Sequence, residues 1–137
     1  MLTMRPLLLA AVTAPLVAGT LSGCLLLAAG AAVGAAGYAY DQGKLTATEE
    51  APLDEVYDAA VAAAADLGVD LEADTHDHSE RYARIVGAWP PDADGDRDTL
   101  RIELTRQAAR TTRVEIRVGL GDEERSRIVL ERIRAGL

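Results

Sequence analysis

Two short acidic stretches in this 137-residue chain carry residue types that can do chemistry. Asp74-Thr-His76-Asp77-His78 places two imidazoles and two carboxylates within five residues. On an extended strand His76 and His78 point the same way, and such a pair binds zinc or copper through neutral ring nitrogens. A site needs a third and usually a fourth ligand, and the chain has no other His. Asp74 or Glu80 serves only if the loop folds back. A polar hairpin turn bounded by Ser79 is therefore the expected structure, with metal binding on His76 and His78 as the alternative.

Asp92-Ala-Asp-Gly-Asp-Arg-Asp98 spaces its acids like a calcium loop, and Glu103 stands twelfth counted from Asp92. Arg97 occupies the sixth position, where the sharp turn demands Gly, so an acidic hairpin turn is expected instead. Trp89, beside that loop, is expected as a core residue at a strand end. No Ser/His/Asp or Cys/His arrangement, phosphate loop or paired-carboxylate cleft is recognisable. The sequence is not expected to encode an enzyme, and no cofactor is expected.

The single cysteine has a different chemistry. Arg5 gives a short positive start, residues 6–17 are apolar, and the segment ends in Leu21-Ser22-Gly23-Cys24. That is the layout of a secretory signal closing in a lipobox. An aliphatic Leu21 fits a membrane-embedded peptidase pocket, and small Ser22 and Gly23 let extended backbone approach the active site. The Cys24 thiol is the nucleophile that receives a diacylglycerol. The expected organisation is a signal peptide over residues 1–23, a lipidated, membrane-proximal segment over 24–42, and one small domain over 43–137. Leu rather than Asp at position 25 points to the outer membrane, facing the periplasm.

Residues 25–40 contain no charge. As a helix they would span about 24 Å, short of the roughly 30 Å hydrocarbon core. Gly30 and Gly34 form a GxxxG spacing that allows close helix approach and self-association. GxxxG also arises easily in Ala/Gly-rich sequence, which favours an apolar tether lying beside the lipid. Tyr38 and Tyr40 suit the headgroup level in either arrangement.

The remaining residues must build the domain. Residues 44–48 alternate as a short strand. Pro52 suits a helix start, with Asp54, Glu55 and Asp58 at its positive end. Leu53, Val56, Tyr57, Ala60, Ala64 and Leu67 share one helical face, and Gly68 stops it. Strands are expected at 69–73, 82–89, 100–105 and 113–118, the last two alternating apolar residues with Arg and Glu. With a turn over residues 107–109, Glu103 would face Arg113 and Arg101 would face Glu115. Residues 122–137 read as a closing helix, acidic at its start and basic at its end. The expected fold is α+β, a two-layer sandwich of order β-α-β-β-β-β-α, with an antiparallel sheet and the helices on one face.

Gly34-Ala-Ala-Gly-Tyr-Ala-Tyr40, Gly43-Lys-Leu, Ala51-Pro-Leu-Asp54 and Arg117-Val-Gly-Leu-Gly-Asp122, together with the lipobox, resemble the small bacterial lipoproteins of domain-of-unknown-function family 3568. The resemblance covers almost all of the chain after Cys24. It implies an envelope location and this topology, and it carries over no functional residue beyond Cys24. With 14 basic and 22 acidic residues the net charge is -8, which disfavours nucleic acid as a partner. The expected function is that of a non-catalytic, lipid-anchored envelope protein, structural or partner-binding. Its expected partners are the membrane, through the lipid, and an envelope protein.

Overall fold

The computed structural model describes residues 37–72 and 77–137. Within them lie seven strands and two helices, mixed α and β as expected. The strands form one antiparallel sheet of order β1-β2-β7-β6-β5-β3, with β4 also paired to β5.

The sheet begins earlier than the sequence suggests. β1 (Tyr38–Asp41) and β2 (Lys44–Glu49) form a hairpin. Gln42 and Gly43 close it with positive φ at both positions, 49° and 80°, the requirement of the tight turn that matches strand twist. Tyr38 and Tyr40 pack against the core. The absence of charge through residue 40 hid a strand whose alternation starts there.

α1 (Leu53–Asp66) follows Pro52 and buries Leu53, Val56, Ala59, Ala60, Ala63 and Ala64. Its alanines lack bulk, so backbone and sheet approach closely. Leu67 and then Gly68, at φ 74°, end it. β3 (Asp70–Leu71) and β4 (Asp77–His78) both pair with β5 (Tyr82–Ala88). Leu71 pairs with Gly87 and Asp77 with Arg84, so both short strands lie along the same edge of β5.

β6 (Thr99–Ala108) and β7 (Thr111–Val118) pair in a register that differs from the expected one. Glu103 faces Glu115, Arg101 faces Arg117, and Thr105 faces Arg113. The turn is Ala109 and Arg110, and a bulge lies between Arg106 and Ala108. The apolar residues decide this. The observed register opposes Leu100 to Val118, Ile102 to Ile116 and Leu104 to Val114, all fully buried. The charge-matched alternative would set Leu104 against Thr112. Cross-strand ion pairs are worth about 0.2–1 kcal/mol, less than an apolar pair in the core.

α2 (Glu123–Ala135) starts at Asp122, whose side chain accepts from the Arg125 backbone N–H at 2.9 Å. Its Val129, Leu130 and Ile133 join α1 and the alternate strand residues in one core. The other strand alternation, with Lys44, Arg84, Arg101, Glu103, Arg113, Glu115 and Arg117, is the polar face of the sheet.

Candidate functional site

A groove of about 660 Å³ lies at the start of α1. Pro52, Leu53 and Asp54 form one wall, His78, Ser79 and Glu80 another, and Arg106 and Ala109 at the end of β6 the third. α1 brings no capping side chain of its own to this end, so its first N–H groups depend on other partners or on water.

His78 is what ties β4 to the helix. Its ring stacks on Tyr57 with centroids 4.2 Å apart and planes 25° from parallel. Its Nε2 lies 3.0 Å from Asp54 Oδ1. Asp54 is 83% exposed on its side chain, so water screens the pair, and it contributes within about 1 kcal/mol. A histidine beside a carboxylate can pass a proton or hold a cation. Ser79 offers no free nucleophile, since its hydroxyl donates to the Tyr82 carbonyl at 3.1 Å and accepts from the Tyr82 N–H at 3.2 Å.

Of the residues singled out in the sequence, Leu21, Ser22, Gly23, Cys24, Gly30, Gly34 and His76 lie outside the described residues. His78 is described, and its partner there is Asp54. Among the described residues no three His, Cys, Asp or Glu side chains are grouped to hold a metal ion. The acidic loop closes on itself. Asp92 Oδ1 accepts from the backbone N–H of Asp94 and of Asp96, each at 3.0 Å, and Asp98 pairs with Arg125 at 2.7 Å. Trp89 packs against the core with the Arg125 guanidinium 5.7 Å from its ring centroid.

Sequence reasoning missed Asp54 and Tyr57 as partners of His78. Both were visible on the first turns of α1, but nothing local says that a loop beyond residue 70 returns to them. It also missed Tyr82. Burial holds this phenol above its ordinary value of 10.0, and Glu103, which accepts its hydroxyl at 3.4 Å, adds to the rise.

The model of the family described as protein of unknown function (DUF3568) matches residues 6–135. The chain belongs to that family, the one its motifs resemble. No curated protein matches it.

Proposed function

We propose that the chain is the precursor of a non-catalytic cell-envelope lipoprotein, cut before Cys24 and held by lipid on that cysteine. Its domain serves a structural or partner-binding role on the outer membrane, on the periplasmic side. The observation that carries this reading is how the first strand is fastened. Arg134 of α2 donates from Nε to Glu49 Oε1 at 2.8 Å and from Nη2 to the Gly37 carbonyl at 3.0 Å. Residues 25–36 alone then separate the lipid from a rigid sheet, a spacing suited to a domain kept close to its membrane. The family match supports the same reading, because it runs through Cys24 and the domain as one unit. A two-layer sandwich with both helices on one face fits the single core they share with the strands.

Two or more acyl chains anchor durably, whereas one does so marginally. Azide-bearing palmitate fed to cells should label the wild type and leave Cys24→Ser unlabelled. Label on the variant, or none on the wild type, would overturn the proposal.

One observation favours the alternative of metal binding. His78 Nε2 and Asp54 Oδ1 are 3.0 Å apart at the groove wall, a separation two ligands of one cation can have. Calorimetry with zinc and copper on wild type, His76→Ala and His78→Ala tests it. Heats identical in all three would end it.

A further inference from the structure

The register of β6 and β7 sets like charges in rows. Arg101 faces Arg117, and Lys44 adjoins Arg117 on the other side, one residue before the Leu45–Ile116 pair. Three exposed cations stand side by side on neighbouring strands, about 4.8 Å apart in backbone spacing. Val86 faces Arg101 from β5, so no acid closes the row there, while Asp41 faces Lys44 from β1. Glu115 in the next row faces Glu103 and is shared by Lys44 at 2.9 Å and Arg113 at 3.0 Å, so the acids beside the cationic row are engaged on the Lys44 side of the sheet. Like charges in directly opposed pairs cost stability. An external anion would relieve that cost.

A second observation falls at the same place. Leu120 is 95% exposed, and its carbonyl accepts from Arg117 Nη2 at 3.3 Å. The turn that holds it packs closely against the turn between β1 and β2. A Cβ on Gly121, at φ 127°, would lie 2.4 Å from Gly43 Cα, and one on Gly43 would lie 2.8 Å from the Leu120 carbonyl oxygen. The two turns interlock backbone to backbone, and Lys44 follows Gly43 directly. A large apolar side chain is thereby held in water beside a cationic row.

We propose that Lys44, Arg101 and Arg117, with Leu120 beside them, dock the domain on an anionic lipid surface. The cations take lipid phosphates, for which the guanidinium fork is well shaped. Leu120 passes the headgroups into the edge of the acyl region. This rests on the lipid-anchored reading, because a chain of net charge -8 would be repelled as a free molecule. Anchoring supplies the high local concentration, and salt screens the acids that lie more than about 8 Å from the patch, which leaves Arg101 and Arg117 as its main cations beside Lys44, held by Glu115.

The test couples the full chain through its one thiol, Cys24, to maleimide-bearing lipid in vesicles, and follows backbone hydrogen exchange. Vesicles of phosphatidylcholine with a substantial fraction of phosphatidylglycerol should slow exchange across residues 42–45 and 117–121, compared with phosphatidylcholine alone. Each cation near the surface is worth about a fivefold change in the docked equilibrium. Arg101→Gln with Arg117→Gln should therefore abolish most of the protection, and Leu120→Ser should weaken it, with the fold of each variant checked by circular dichroism. Equal exchange on the two vesicle types would overturn the proposal, as would protection that rises with protein density instead of anionic lipid. The tether is chemical, so neither outcome depends on acylation in the cell. That reading fails separately, if the protein made in cells lacks lipid on Cys24.

Discussion

Glu103 and Glu115 stand directly opposite each other on β6 and β7, two carboxylates in one cross-strand pair. The pair survives because cations surround it. Arg84 faces Glu103 from β5, and Lys44 and Arg113 hold Glu115. Apolar registration on the opposite side of the same strands sets this arrangement, and the charges adapt to it.

Glu103→Gln should be neutral or slightly stabilising, by a few tenths of a kcal/mol, because it removes one of two opposed charges. It should also bring the Tyr82 phenol down towards 10.0 without reaching it, since burial is the larger cause of the rise. Denaturant unfolding checks the first, and ultraviolet titration of Tyr82, assigned with Tyr82→Phe, checks the second.

The raised Tyr82 value has a sign for stability. A group whose pKa is higher in the folded state contributes fully below its unfolded value and loses that contribution as pH rises through the folded one. Stability should therefore fall as pH passes upward beyond 10.0, and fall less steeply in Tyr82→Phe. Urea midpoints across that window measure the difference.

Ser126 is fully buried on α2, and its Oγ has no hydrogen-bond partner. Ser126→Ala removes an unpaired polar atom and improves helix propensity, for a gain of about 0.5–1.5 kcal/mol. Denaturant unfolding measures it, and a loss of stability would mean that the hydroxyl is satisfied in solution.

Arg134→Met leaves the Glu49 carboxylate, whose side chain is 11% exposed, without its guanidinium. The cost should be about 2–3 kcal/mol, as for breaking a largely buried ion pair. Arg134→Met with Glu49→Gln should cost less than the two changes summed, the mark of a direct pair.

Gly121→Ala should destabilise by about 3 kcal/mol, from positive φ together with the clash on Gly43. Leu120→Ala, one residue away, should stay within about 0.5 kcal/mol, because Leu120 touches water and little else. Thermal unfolding of the two side by side separates a residue that builds the turn from one the turn displays.

Both helices were legible because their apolar spacing and acidic starts agree with their ends, Gly68 for the first and the basic Arg132 and Arg134 for the second. The strand alternations of β6 and β7 were equally legible, and their register was not. A shift of two residues keeps every side chain on its own face, so pattern alone cannot choose between registers. The Ala109 and Arg110 turn carries no Gly or Asn to mark it. β1 was hidden in a run without charge, although Gln42-Gly43 was a turn signal. His78 was visible as chemistry, but Asp54 and Tyr57 meet it only through the fold of the β5 edge.

The central claim is that Cys24 is the lipid-bearing first residue of the mature protein. Intact mass spectrometry of the protein extracted from cell membranes tests it most directly. The expected product is a chain beginning at Cys24 and heavier than its sequence by a diacylglyceryl group, with or without a further acyl chain on the new amino group. A chain that begins elsewhere, or that begins at Cys24 with a free thiol, would contradict it.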